Sequence, residues 1–258
     1  MPLILFCMGA VVGSFLNVCI VRIPKEESIV FPGSHCVFCN HAIGWYDNIP
    51  IISFFILRGR CRHCAKKISW QYVLVELLTA ILFVFFYRFF GASAKGAAYL
   101  LLSLALLVES VIDMRYKIIP DSITLPGIVI GLAASAFFPA IHGESSHWHG
   151  LLASFGGMLL GGGFLYAAGS IAELILKKEA MGGGDVKLLA MIGSVLGWRG
   201  VVWTLFVSSL IGSAAGIYLR LKRGDLLIPY GPYLAAAAVL YIFVGPQFMH
   251  WYAARLGF

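Results

Sequence analysis

The sequence contains few charged residues. Asp, Glu, Lys and Arg make up 12% of its 258 residues, whereas a soluble globular domain has about 25%. Hydrophobic residues make up 60% of the chain, and the mean hydropathy is +0.89. These values exclude a soluble globular protein and predict a polytopic membrane protein.

The N-terminus lacks the features of a cleaved signal peptide. No basic residue precedes the first apolar run, and no small-x-small cleavage site follows it. The first basic residues, Arg22 and Lys25, come after the run. We therefore expect an uncleaved spanning helix with its N-terminus outside the cytoplasm.

The chain has fewer acidic than basic residues. There are 12 Asp and Glu against 19 Lys and Arg, and the formal net charge is +7. The basic residues lie at the ends of apolar segments rather than on one soluble face, so no nucleic-acid partner is expected. Internal repeats and low-complexity segments are also absent from the sequence.

Apolar segments dominate the chain, and a spanning helix needs about 20 such residues. The sixth predicted segment is short. It either starts inside the membrane or forms a tight hairpin with the seventh at Trp198, Arg199 and Gly200. The eight predicted spans are 3–21, 72–90, 97–113, 122–141, 151–172, 186–198, 200–219 and 229–249.

The distribution of Lys and Arg predicts the orientation. With residue 1 outside, fifteen of the 19 lie inside and four lie outside, namely Arg88, Lys95, Arg199 and Arg255. The even number of helices returns the C-terminus to the outside. The expected fold is an all-α polytopic membrane protein. Its predicted parts are a first transmembrane helix (1–21), a cytoplasmic insert between helices 1 and 2 (22–71) and a helical membrane core (72–258).

Six cysteines are present, of which Cys7 and Cys19 lie in the first helix and are expected to be apolar fillers. The others form CVFC (36–39) and CRHC (61–64), with 21 residues between. Each C-x-x-C turn points two thiolates at one ion, and two turns complete a tetrahedral site. A reducing cytoplasm favours metal over disulfides or redox motifs. The pattern predicts a structural, zinc-ribbon-like site of Cys36, Cys39, Cys61 and Cys64, near which His35, His41 and His63 are possible replacement ligands.

Acidic residues at membrane edges are candidate functional groups. Asp113 ends the third predicted helix and Asp185 opens the sixth, so the predicted topology brings both to the cytoplasmic face. Two facing carboxyls can hydrolyse a peptide bond, because the protonated one polarises the carbonyl while the ionised one activates water. The glycines before Asp185 permit close approach of an extended peptide. The sequence predicts Asp113 and Asp185 as a catalytic pair.

Other interpretations of the acidic residues exist. A glycine-rich turn before an acid is often only a helix cap, with the carboxylate complementing the helix dipole. Glu109 and Asp113, spaced i, i+4, form a rival pair. Neighbours on one helix lie side by side rather than across a substrate, which favours Asp113 with Asp185. Glu76 is expected either to pair with a base of the insert or to help bind a cationic ligand.

A series of short motifs runs in order along nearly the whole chain. They are GSFLNVCIVRIP (13–24), CVFC with CRHC, DNIPIISFFILRGRC (47–61), VELLTA (75–80), DMRYKIIPD (113–121), GGGDVKLLAMIG (182–193) and IPYGPYLAAAA (228–238). Together they resemble the bifunctional type IV prepilin peptidases, aspartic enzymes of the GxGD class. Asp47 stands where that family's pattern has glutamate.

The resemblance implies a function and its parts. Such an enzyme, in the bacterial inner membrane, cuts the leader of pilin-like precursors on the cytoplasmic side, after a glycine and usually before a phenylalanine. It then methylates the new amine with S-adenosylmethionine. The motif match implies catalysis by Asp113 and Asp185, and it places the four cysteines in the cytoplasmic insert that the family associates with the bifunctional form. The residues expected to bind substrate or methyl donor are Glu76, Gly182, Gly184 and Lys187.

Three rival functions remain at the level of sequence. A peptidase without methyl transfer would share the aspartate pair. A transporter would carry acids near the middle of helices and often repeat symmetry, neither of which occurs here. A zinc-bearing membrane scaffold would leave the paired aspartates without a role. The resemblance implies that the partners of this protein are prepilin and pseudopilin precursors and membrane lipid.

Overall fold

The computed structural model describes residues 1–177, 182–223 and 229–256, and in these ranges the only extended pairing is two isolated β-bridges. All other regular structure there is helical, which confirms the predicted all-α class. The α-helices are α1 (Pro2–Arg22), α2 (Ile52–Ile56), α3 (Gln71–Phe90), α4 (Ala94–Tyr116), α5 (Asp121–Phe137), α6 (His147–Leu176), α7 (Gly183–Arg223) and α8 (Gly231–Leu256).

Six of these helices are long and apolar enough to cross a membrane, by length and composition. The exceptions are the five-residue α2 and α5, which has 17 residues. The predicted fourth span, 122–141, is therefore shorter in the structure. It stops at Phe137 because Pro139 starts a separate 3₁₀ turn and Gly143 adopts a positive φ of 78°.

Two predicted spans, 186–198 and 200–219, both fall within α7. Gly197 interrupts this helix with φ 69° and ψ −177°, a conformation that favours glycine. A Cβ built on Gly193 would lie 2.9 Å from Val201 Cγ2. Eight residues of straight helix would separate these positions by about 12 Å. The chain therefore reverses at Gly197, and the hairpin expected at residues 198–200 is present.

The first compact unit comprises Met1–Gly96. Within it, α1 packs along α3, and Gly13 allows the close approach because an added Cβ would lie 2.6 Å from the Cα of Glu76. Asn17 Nδ2 donates to the Tyr72 carbonyl at 2.9 Å. The buried Arg22 begins the insert by donating to carbonyls of the 28–33 loop. These contacts attach the insert to the ends of two spanning helices.

The second compact unit comprises Ala97–Phe258. Its core is α7, which packs against α5, α6 and α8. Leu188, Leu189 and Ile192 of α7 are fully buried. Gly161 of α6 lies so close to α7 that an added Cβ would sit 2.6 Å from the Leu189 carbonyl oxygen. This packing fixes the first turn of α7, which carries Asp185.

Candidate active site

Asp113 lies in the last turn of α4, and its residue surface is only 6% exposed. Its Oδ2 accepts a hydrogen bond of 3.0 Å from the backbone N–H of Gly231, the first residue of α8. The first N–H groups of a helix have no partner inside that helix. The Asp113 carboxyl satisfies one of them and is thereby held in one orientation.

Asp185 lies in the first turn of α7 and is partly exposed. Its N–H donates to the Gly182 carbonyl at 3.1 Å. The Asp113 and Asp185 carboxyls are within electrostatic range of each other. Gly184 packs against the loop after α4, since an added Cβ would lie 2.9 Å from Ile119 Cβ. The structure therefore brings both predicted catalytic residues to one end of the second unit.

Lys187 forms an ion pair with Asp121, the first residue of α5. Its Nζ lies 2.7 Å from both carboxylate oxygens. Both side chains are partly exposed, so the pair adds about 0–1 kcal/mol of stability. It ties the first turn of α7 to α5. Lys187 thus has a partner within the protein and does not stand as a free cation.

Four helix ends meet at this position. The end of α4 supplies Asp113, the start of α7 supplies Asp185, the start of α8 supplies the Gly231 N–H, and the start of α5 is tied in by Asp121. Asp113 is buried while Asp185 is partly exposed. Two carboxyls in such a setting can share the acid and base roles of peptide hydrolysis.

Glu109, the other member of the rival pair, lies in a different environment. It is 1% exposed, and neither carboxyl oxygen has a hydrogen-bond partner among the described residues. Asp113 is one helical turn away on α4, so both side chains project from the same side of one helix. The near-complete burial of Glu109 keeps its carboxyl from direct contact with a substrate.

The four cysteines of the insert form one cluster in the first unit. Their sulfur atoms all lie within 4.8 Å of one another. Cys36 Sγ and Cys64 Sγ are 3.9 Å apart. A tetrahedral ion with Zn–S bonds of about 2.3 Å needs its sulfurs about 3.8 Å apart. The cluster can therefore hold a metal ion with four sulfur ligands.

The two C-x-x-C turns are built alike. The Cys36 N–H donates to the His41 carbonyl, and the Cys61 N–H donates to the Lys66 carbonyl, each at 2.9 Å. A residue with positive φ follows each second cysteine, and an isolated antiparallel bridge closes each turn. His41 and His63 stack with ring centroids 4.3 Å apart. The candidate metal ligands among the described residues are the four cysteines, without a histidine.

The thiols of the first turn differ in acidity. Burial raises the pKa of Cys36, but hydrogen bonds from the amides of Phe38 and Cys39 and from neighbouring thiols outweigh it and lower this pKa to about 7. A hydrogen bond from the His41 backbone lowers the pKa of Cys39, but burial and the nearby Cys36 outweigh it and raise this pKa to about 11. The Cys36 thiolate thus forms more readily than that of Cys39, and a bound metal ion would need both thiols deprotonated.

Asp47 connects the segment before α2 to the second C-x-x-C turn. Its carboxylate accepts two hydrogen bonds from Arg62, at 2.7 and 2.6 Å. These hydrogen bonds, with the charge of the guanidinium, hold the pKa of Asp47 below its usual value. The bidentate geometry ties the segment before α2 to the second C-x-x-C turn.

Glu76 of α3 holds a strained turn of the insert. Its Oε2 accepts a hydrogen bond of 2.7 Å from the Ile51 N–H, and Ser14 of α1 is a second partner. Ile51 has φ 64° and ψ −53°, and the Ile52 N–H donates to the Pro50 carbonyl at 2.6 Å. This is a γ-turn in the rare, positive-φ form. The partners of Glu76 are therefore uncharged groups and not a base of the insert.

Sequence reasoning did not single out Gly231 as a partner of the aspartates. The Gly-Pro pair at the start of the last helix was the available signal, since it lies in the 228–238 motif. Ile228, the first residue of that motif, lies outside the described residues. Gly182 and Gly184 flank the beginning of α7. A Cβ added to Gly182 would lie 3.7 Å from Asp185 Oδ2, which is an ordinary van der Waals distance.

Comparisons with known proteins cover the chain almost completely. The family model described as "Bacterial Peptidase A24 N-terminal domain" matches residues 7–90. The model described as "Type IV leader peptidase family" matches residues 100–217. The two matches fall on either side of residue 96, where the two compact units also divide. No solved protein structure matches the chain.

The relatives that match include three, from different bacteria, that are named "Prepilin leader peptidase/N-methyltransferase". The one from Pseudomonas aeruginosa is 36% identical, over 97% of this chain and 93% of the relative. The one from Myxococcus xanthus is 39% identical, over 85% of this chain and 63% of the relative. The one from Aeromonas hydrophila is 35% identical, over 96% of this chain and 92% of the relative. The six long apolar helices are those of a multi-pass membrane protein, and by these matches the chain belongs to the type IV leader peptidase family.

Proposed function

We propose that this protein is a bifunctional prepilin leader peptidase and N-methyltransferase. The observation that carries the proposal is the pair of carboxyls, Asp113 and Asp185, held within electrostatic range where four helix ends meet. The family membership and the names of the relatives support the same activity. The substrates are prepilin and pseudopilin precursors whose apolar helix lies in the membrane.

In the proposed mechanism the two aspartates share the work of hydrolysis. The ionised carboxyl takes a proton from a water molecule, and the hydroxide attacks the carbonyl carbon of the last leader glycine. The protonated carboxyl donates its proton to the carbonyl oxygen. The tetrahedral intermediate then collapses, the C–N bond breaks, and the new amine receives a proton. The Gly231 N–H keeps the Asp113 carboxyl oriented toward the reacting bond.

The second activity modifies the amine that cleavage creates. S-adenosylmethionine supplies the methyl group when it is bound. Glu76, Gly182, Gly184 and Lys187 remain proposed contributors to substrate or methyl-donor binding. Glu76 contributes to binding indirectly, because it fixes the turn at Ile51. Lys187 also contributes indirectly, because its ion pair with Asp121 fixes the start of α7.

The metal proposed for the cysteine cluster is zinc in a structural role. The observed sulfur separation of 3.9 Å agrees with the geometry of a four-sulfur zinc site. Four protein ligands leave no open position for a substrate. Zinc at Cys36, Cys39, Cys61 and Cys64 would hold together the 22–71 insert, which is too small for a core of its own.

The proposed orientation follows the distribution of basic residues. With both termini on the periplasmic side, the insert and the aspartate pair face the cytoplasm, together with fifteen of the 19 Lys and Arg. The proposed parts of the chain remain the first transmembrane helix (1–21), the cysteine insert (22–71) and the peptidase core (72–258). A substrate with a basic leader would present its cleavage site at this membrane edge.

A cleavage assay in liposomes tests the peptidase. It uses a prepilin substrate and reads leader removal and amine methylation separately. We expect Asp113→Asn and Asp185→Asn to fold but not to cleave, whereas both still methylate a pre-cleaved substrate. Glu109→Gln is the matched control, since it removes an equally buried acid from the same helix, and it should cleave at a near wild-type rate. Cleavage by either aspartate variant, or its loss in the Glu109 variant, would contradict the assignment.

A further inference from the structure

A cavity of about 610 Å³ lies in the insert, beside the start of α3. Its volume falls in the range of about 300–1,000 Å³ that is typical of ligand sites. Among the residues that the structure describes, no acidic side chain lines it. We call it the basic cavity, because its lining combines three cations (Arg58, Arg60 and Lys67) with three aromatic rings (Phe54, Phe55 and Trp70).

The cations of the basic cavity lie close together, with no counter-charge from the part of the chain that the structure describes. Arg60 and Lys67 lie directly opposite each other in an antiparallel bridge. Side chains in such a pair start about 4.5–5.5 Å apart, and like charges there repel. Across the described ranges, neither residue nor Arg58 takes part in an ion pair. An anion between these side chains would turn the repulsion into attraction.

The backbone around the basic cavity is fixed by hydrogen bonds. The Gly59 N–H donates to the Phe54 carbonyl and the Ile68 N–H donates to the Gly59 carbonyl, each at 2.8 Å. The bridge between Arg60 and Lys67 closes the second C-x-x-C turn. The bridge thus sets the spacing of the two cations, and the backbone of the site is preformed.

The aromatic side of the basic cavity adjoins the start of a candidate membrane-spanning helix. Trp70 immediately precedes α3, a helix long and apolar enough to span the membrane. Its ring lies 4.8 Å from that of Phe54. Trp70, Phe55 and Ile56 are each more than half exposed, at 60%, 58% and 68%. Exposed apolar side chains next to cations, at the end of a spanning helix, are typical of a surface that binds anionic lipid.

The charge of the lining decides between possible ligands. S-adenosylmethionine carries a sulfonium, an ammonium and one carboxylate, so its net charge is positive and three unpaired cations repel it. A free phosphate ion has the right charge but makes no use of the exposed aromatic rim. We propose that the basic cavity binds the phosphodiester headgroup of an anionic phospholipid and so anchors the insert on the membrane surface. This proposal goes beyond the peptidase and does not depend on it.

Hydrogen exchange on the full-length, zinc-loaded protein in mild detergent tests the proposal. Phosphatidylglycerol or phosphatidylcholine is titrated, and protection of peptides covering residues 52–70 is followed. We expect protection with phosphatidylglycerol and none with phosphatidylcholine. Each basic residue near an anionic surface contributes about 1 kcal/mol. The double variant Arg60→Gln/Lys67→Gln should therefore raise the midpoint of protection about 30-fold.

The matched control is Lys25→Gln/Lys66→Gln, which removes two charges from the same region but outside the basic cavity. Its midpoint should stay within about threefold of the wild type. The metal content of each variant reports whether the insert has folded. If the double variant loses its metal, the single variants Arg60→Gln and Lys67→Gln replace it, and each should raise the midpoint of protection about fivefold.

Four outcomes would overturn the proposal. Equal protection of the wild type by the two lipids would remove the charge requirement. An equal shift in the control variant would mean general electrostatic attraction. Protection by inorganic phosphate alone would indicate a soluble anion. Protection of residues 52–70 by S-adenosylmethionine, lost in the Arg60/Lys67 variant, would make the cavity the methyl-donor site.

Discussion

Gly231→Ala should impair cleavage by displacing the Asp113 carboxyl. An added Cβ would lie 2.8 Å from Asp113 Oδ2, whereas ordinary contacts begin at 3.4 Å, so the oxygen must move by about 0.6 Å. Cγ and Cβ of Asp113 lie at 3.4 and 3.5 Å and need not move. The expected perturbation is thus a rotation of the carboxyl away from the Gly231 N–H.

Two arguments give the size of the effect. A misplacement of about 1 Å in an active site lowers the rate by about 100-fold. Losing an amide hydrogen bond to a charged group costs about 1.5–3 kcal/mol, which corresponds to about 10- to 100-fold. We therefore expect kcat/KM for leader cleavage to fall by about 10- to 100-fold, mostly through kcat. Methylation of a pre-cleaved substrate should be unchanged.

The assay is steady-state cleavage of a prepilin in liposomes, with Gly163→Ala as the control. An alanine at Gly163 meets no atom within 4 Å, so its cleavage rate should equal that of the wild type. Gly231 does not have a positive φ, so its backbone accepts alanine. If Gly231→Ala cleaves within twofold of the wild type, the hydrogen bond does not position the carboxyl and the reasoning is refuted.

Further predictions follow from the same contacts. Gly184→Ala should reduce cleavage at least tenfold, because the added Cβ would lie 2.9 Å from Ile119 Cβ. Gly183→Ala, which has open space around it, should remain active, and equal cleavage rates for the two variants would contradict this prediction. Lys187→Gln should destabilise the protein by about 1 kcal/mol or less in thermal unfolding and leave kcat/KM within about threefold, and a complete loss of activity would give Lys187 a direct role. Glu76→Gln keeps an acceptor for the strained turn, so limited proteolysis should cut the insert faster in Glu76→Ala than in Glu76→Gln. Metal analysis should find one zinc per chain, and chelation should expose the insert to protease; an insert that stays resistant without metal would argue against a structural role.

The helices were predictable because hydropathy is a local property. All eight predicted segments are helical, although two of them share α7. The position of the hairpin was visible in advance, since Gly197 and Gly200 flank Trp198 and Arg199 between two apolar runs. The early end of α5 was harder to predict from the sequence, because the apolar run continues past Phe137. Only the backbone conformation at Pro139 and Gly143 reveals the turn.

The site was predictable in its residue types and not in its contacts. Four cysteines in two C-x-x-C turns predict a shared ion from spacing alone, and the cluster is present. The hydrogen bond between Asp113 and Gly231 joins residues 118 positions apart. No local pattern specifies such a pair. Glu76 likewise suggested a charged partner, whereas the structure provides the Ile51 amide.

The sequence by itself determined the membrane class, the helical segments, the cysteine cluster and the candidate aspartates, because composition and spacing encode each of them. Only the tertiary structure decided which helix ends meet, that Lys187 is paired with Asp121, and that Arg60 and Lys67 face each other without a counter-charge. The physical reason is that a spanning helix is apolar on all sides. Its sequence therefore carries little signal for the face that packs inward, and close packing between helices makes that choice.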